Sequence, residues 1–113
     1  MERYEYSELK QNIREDYARY TTGGYNFSFY GVTSKILDDM QRIIWESDVE
    51  GLMIYTVLAQ VGLEQGELRP EIKVEVQRII NTGALSKFKD ELSYSEFDII
   101  SQDLIKIKES ISK

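Results

Sequence analysis

Carboxylates are the only abundant reactive side chains here: twenty Asp and Glu against fourteen Lys and Arg, with no histidine and no cysteine. Paired acids can do general acid/base work or hold a metal, but these spacings favour neither. Glu15-Asp16, Asp38-Asp39 and Asp90-Glu91 are adjacent pairs, and neighbours on a helix point about 100° apart, so the two members do not converge on one ligand. Glu71 and Glu75 are four apart and share a face. Carboxylate metal sites in helical bundles, however, draw a Glu-x-x-His from each of two helices. A solvated helix face accounts for every pair. Ser7, Ser47, Ser93 and Ser95 sit at cap-like positions with no histidine to activate them. Gly23-Gly24 lacks the lysine and following Ser/Thr of a phosphate-binding loop. The residues imply a non-enzyme with no catalytic centre, metal or cofactor.

Binding chemistry is better represented. Six of the fourteen residues from Tyr17 to Tyr30 are aromatic: Tyr17, Tyr20, Tyr25, Phe27, Phe29 and Tyr30. Large, stiff, amphipathic rings beside the flexible Gly23-Gly24 suit a protein contact surface. Tyr17 belongs to an apolar stripe, and Phe27 and Phe29 have no polar handle, so these three are expected to seek burial. Tyr20, Tyr25 and Tyr30 can pack their rings and still show a hydroxyl to solvent. Either they form an exposed contact or the loop folds onto the core. Trp45, off the stripe of Met40, Ile43 and Ile44, reads as a packing residue because that is the commoner fate of a lone tryptophan.

A net charge of −6 repels phosphate backbones, so nucleic acid is not an expected direct ligand. The same sign attracts a basic partner and speeds its encounter, or simply keeps the protein soluble. At 113 residues the chain reads as one domain, 1–113, large enough for a single core without disulfides. Absence of cysteine fits a reducing cytoplasm. Met1 to Gln11 lacks the apolar stretch of a signal peptide, and the run Leu52 to Ala59 is too short to span a bilayer. A cytoplasmic protein without membrane contact is expected.

The elements that must position these residues are helical throughout. Ser7 is the expected cap of a first helix reaching about Tyr20, with Leu9, Ile13, Tyr17 and Tyr20 as its stripe and Gly23-Gly24 as its stop. Tyr25 to Tyr30 alternates and is read as a loop, since no second strand-like run exists to pair with it. A second helix follows from Val32 to Glu46, with Ile36, Leu37, Met40, Ile43 and Ile44 inward and Asp38, Asp39, Arg42 and Glu46 outward. Ser47 and Glu50 have capping-box spacing before the most apolar helix, Val49 to about Leu63, which should be the buried centre. Pro70 opens a fourth helix carrying Ile72, Val76, Ile79 and Ile80, and Gly83 ends it. Ala84 to Leu92 is a short helical piece. Ser93 and Glu96 repeat the capping-box spacing ahead of a last helix with Phe97, Ile100, Leu104, Ile107 and Ile111. The fold class is all-α, a single-domain bundle of about six helices.

The segments Tyr6-Ser7-Glu8-Leu9, Gly24-Tyr25-Asn26-Phe27-Ser28-Phe29 and Ile36-Leu37-Asp38-Asp39-Met40, with the apolar helix ending before Gly66, follow a recognisable order. Over about the first two-thirds of the chain this order resembles the small all-helical immunity proteins of bacterial polymorphic-toxin and contact-dependent growth-inhibition systems. The resemblance implies inhibition by binding. An immunity protein covers the active site or substrate groove of a cognate toxin domain, often a basic nuclease, and its acids take the place of substrate phosphates. The expected contact set is Glu15, Asp16, Tyr20, Tyr25, Tyr30, Asp38, Asp39 and Glu46, on a protein that is monomeric until it meets its partner. A small acidic adaptor or anti-regulator of another protein is the alternative. A homo-oligomer built through the last helix is a further rival.

Overall fold

Leu52, Met53, Ile54, Val57, Leu58, Ala59 and Val61 are all buried, as are Gly51, Thr56 and Gly62 between them. A helix so apolar around its circumference has to be surrounded. In the computed structural model, which describes residues 3–22 and 27–112, this helix, α3 (Asp48–Gln65), packs against every other element. Around it lie α1 (Tyr6–Thr22), α2 (Phe29–Glu46), α4 (Pro70–Thr82), a 3-10 helix (Ala84–Phe88) and α5 (Tyr94–Ile111). There is no strand among the described residues. The all-α class follows, with five α-helices and one 3-10 turn. The molecule measures 42 × 39 × 22 Å, so its thin dimension is about two helix diameters.

Local signals set most boundaries. Ser47 accepts the Glu50 N–H at the start of α3. Ser93 and Glu96 form the complete reciprocal box at α5. Pro70 occupies the first turn of α4, where its missing N–H costs nothing. Gly66 and Gly83 close α3 and α4 at φ of 71° and 63°, the left-handed region glycine enters without strain.

Two boundaries differ from expectation. Ser7 lies inside α1, not at its cap: the helix begins at Tyr6, two residues earlier than a Ser7 cap would give, and the Glu5 N–H is taken by the Glu8 carboxylate. The stretch read as a loop before Val32 is partly helix. Ser28 caps α2 by accepting the Gly31 N–H at 3.0 Å, so Phe29 and Tyr30 form its first turn. Gly23, Gly24, Tyr25 and Asn26 lie outside the described residues.

A buried polar joint fastens the start of the chain to α5. Glu96 accepts both Arg3 guanidinium nitrogens, at 2.8 and 3.2 Å, and the Tyr6 N–H at 3.0 Å. The Arg3 hydrogen bonds, aided by the backbone donors, hold the Glu96 carboxyl at a pKa of about 2. One turn on, Tyr6 donates its hydroxyl to the buried Asp103 at 2.6 Å, and Lys10 meets the same oxygen at 2.9 Å. Burial, and then the Asp103 acceptor, push the Tyr6 hydroxyl far above the usual phenol range.

Candidate protein-interaction surface

The aromatic stretch divides into a buried and an exposed part. Tyr17 faces the core, stacks on Phe29 with ring centroids 4.7 Å apart, and shares a 2.6 Å hydrogen bond with Thr33. Burial raises its pKa. Phe29 is half-buried in that stack. Phe27 departs from expectation: it is 41% exposed and meets Tyr20 edge-on at 5.9 Å. As a residue preceding the Ser28 cap, it lies outside the helical register that carries Phe29, Val32 and Ile36 inward. Tyr20 is half-buried, with the Arg19 guanidinium 4.9 Å and the Lys35 ammonium 5.2 Å from its ring centroid. These contacts tie the end of α1 to the first half of α2.

The expected acids are accessible, yet most already have a cation on their own helix. Asp16 accepts from Arg19 at 2.8 Å, Asp39 lies 3.6 Å from Lys35, and Glu46 lies 3.0 Å from Arg42. Glu15 accepts from Gln11 and sits two residues from Ile13 and Tyr17, on the side of α1 away from the core. It therefore does not join the group on α2. Asp38 is exposed and has no ion pair among the described residues. Asp16, Tyr20 and Asp39 flank the α1–α2 seam, Asp38 and Tyr30 lie on the outer side of α2, and Tyr25 lies outside the described residues.

Trp45 is the main correction. It is 77% exposed, where a packing role was expected. Its register accounts for this: Val32, Ile36 and Ile43 define the inward arc of α2, and Trp45 falls on the opposite side. At helical spacing Tyr30, Ser34, Asp38, Gln41 and Trp45 step by four, four, three and four, so they form one ridge about 22 Å long. Tyr30, at its start, is 57% exposed and held flat beneath the Arg69 guanidinium at 4.1 Å. Arg69 is fixed in turn by Ser34 at 2.7 Å and by an ion pair with Glu71. One ring of the ridge is thus rigidly placed, and the other projects into water between the Arg42–Glu46 pair and the α2–α3 joint. Sequence periodicity carried the signal for Trp45, since the residue is off the apolar stripe.

Other features are less concentrated. Val74, Tyr94, Ile99 and Ile105 are exposed singly on α4 and α5, as is ordinary for a soluble surface. A cleft of about 270 Å³ between α3, α4 and the 3-10 helix contains Asp48, Tyr55, Glu75, Arg78 and Lys87. Within it Arg78 already holds Glu75 at 2.9 Å. No group of three potential metal-ligating side chains occurs among the described residues, and no described helix is long and apolar enough to cross a membrane.

Compared with known proteins, the chain matches no family model, no curated protein and no solved structure.

Proposed function

We propose that this protein works by binding another protein, as an immunity protein that neutralises a cognate toxin domain by covering its active site or substrate groove. The observation that carries the reading is the surface of α1 and α2, which sets exposed aromatic rings beside accessible acids, Asp38 among them without an ion pair among the described residues. Along α2 the acids are Asp38, Asp39 and Glu46 and the bases Lys35 and Arg42. Residues 1–71 hold thirteen acids and seven bases, whereas 72–113 hold seven of each. The negative excess therefore lies in the first 71 residues, shared among α1, α2, α3 and the turn that follows it. A basic nuclease groove is its electrostatic complement. Tyr20, Tyr25 and Tyr30 are the proposed contact rings, and Asp16, Asp38, Asp39 and Glu46 the charged group, with Glu15, on the far side of α1, adding to the field that draws the partner in rather than touching it. Exposed ion pairs within one helix are worth only a few tenths of a kcal/mol, so a partner's Arg or Lys can displace Arg19, Lys35 or Arg42 at small cost. The protein needs no catalytic group of its own, and cytoplasmic action against an incoming toxin follows from the same reading.

Co-expression tests this. The products of the genes flanking the one for this chain are expressed singly, and cells killed by one of them, a toxin domain encoded beside this chain, should survive when the wild-type protein is also present. A folded variant with all five acids changed to amides should associate more slowly, by about tenfold or more at low salt, and protect poorly. Full protection by that variant would place the interface elsewhere, and failure of the wild type to protect would refute the toxin reading.

A further inference from the structure

The toxin-binding reading leaves open which side chain supplies most of the affinity. Building on that reading, we infer that Trp45 is the anchor of the interface, inserting into an apolar slot edged with arginine or lysine on the basic partner. Three observations converge on it. Trp45 is the chain's single tryptophan and is 77% exposed, although tryptophan has the largest apolar surface to remove from water and dominates interface energetics. It stands on α2, which packs chiefly against α1 and α3, and while Arg69 covers the start of the outer ridge at Tyr30 and Ser34, Gln41 and Trp45 at its far end are exposed. Its surroundings select the sign of the occupant. Asp38, two turns back on the ridge, has no ion pair among the described residues, and Glu46, next to Trp45 in the chain, is held only by the exposed pair with Arg42. A guanidinium laid against the indole face gains cation–π attraction, and the negative field of Asp38 and of a displaceable Glu46 draws it to that end of the ridge. Tyr30, braced by Arg69 about 22 Å away along the helix, supplies the second, pre-ordered ring and fixes the direction in which the partner lies.

Because Trp45 is unique, replacing it biosynthetically with 5-fluorotryptophan gives one fluorine resonance that reports on this residue alone. The probe is the toxin domain encoded beside this chain, produced with its active site disabled. On addition of that domain the resonance should shift, and Trp45→Ala should weaken binding by about 30- to 1000-fold, mostly through faster dissociation. The variant's melting temperature should be unchanged, since an exposed side chain contributes little to the fold. Asp38→Asn should slow association several-fold at low salt and have little effect at high salt. Tight binding with an unmoved resonance and undiminished affinity of Trp45→Ala would overturn the anchor while leaving the toxin reading intact. No binding by the wild type would overturn both. A resonance that shifts with the concentration of the protein alone would assign the ridge to a second copy of this chain and overturn the basic-partner assignment.

Discussion

Replacing Glu96 by glutamine tests the joint that closes the bundle. The carboxylate accepts both Arg3 nitrogens and the N–H groups of Tyr6 and Ser93, and these donors lower its pKa from an ordinary 4.5 to about 2. A carboxyl group with a folded pKa below its unfolded one stabilises the fold above the unfolded value. That contribution is lost as pH falls through the folded value. With these two values linkage gives about 3 kcal/mol at pH 7, about 1 at pH 3 and well under 1 at pH 2. The Glu96 side chain is only 15% exposed, so screening by solvent removes little of this. Glutamine keeps the shape and loses the charge, and its amide sets a donor against Arg3 or Tyr6. Urea unfolding of both proteins at pH 7 and pH 3 measures the difference. The gap should be about 3 kcal/mol at pH 7 and about 1 at pH 3, because acid effects on distant carboxylates cancel between the two proteins. A gap that does not change with pH, or one below about 0.5 kcal/mol at pH 7, would refute the claim that ionised Glu96 fastens the start of the chain to α5.

Two other expectations concern the scaffold. Leu58, 1% exposed at the middle of α3, should cost about 2–5 kcal/mol when changed to alanine, whereas the exposed Lys73→Ala should stay within about 0.5 kcal/mol; denaturant melts that show equal, small losses would contradict the central role of α3. Gly66→Ala and Gly83→Ala should each cost about 1 kcal/mol through left-handed strain alone, since nothing lies within 4 Å of an added Cβ at either site, and unchanged thermal midpoints would count against that origin.

What could be read in advance depended on how far apart the cooperating residues are. Ser93 and Glu96, Pro70, Gly66 and Gly83 act on neighbours within one turn, so their spacing alone locates the helix ends. The all-round apolar run from Leu52 to Val61 likewise leaves one structural outcome. The start of α2 was hidden because Tyr25 to Tyr30 alternates with period two, which masks the three-and-four spacing that runs back from Ile36 through Val32 to Phe29. At Trp45 two signals conflicted, its register pointing outward and its residue type inward, and register prevailed. Where the rest of a helix has already claimed the core face, one bulky ring cannot turn the helix about its axis. The Tyr6–Asp103 and Arg3–Glu96 links join residues 97 and 93 positions apart, and no local pattern announces such pairs. Of the expected contact set, periodicity sufficed to place Asp38, Asp39 and Glu46 in solvent. That Asp16, Asp39 and Glu46 already have partners became visible only with side-chain geometry.

The fastening of Arg3, Tyr6 and Lys10 to α5 also bears on how the protein comes into being. A ribosome makes Tyr6 early and its acceptor Asp103 ninety-seven residues later. Until then α1 can lean on α3, but its opening turn has no acceptor for the tyrosine hydroxyl and no counter-ion for Lys10 or Arg3. Until α5 has been made, the first four helices lack this fastening. A chain cut short before α5 would keep α1 against α2 and α3 but leave Arg3, Tyr6 and Lys10 without their partners and part of α3 uncovered, a ready client for chaperones and proteases.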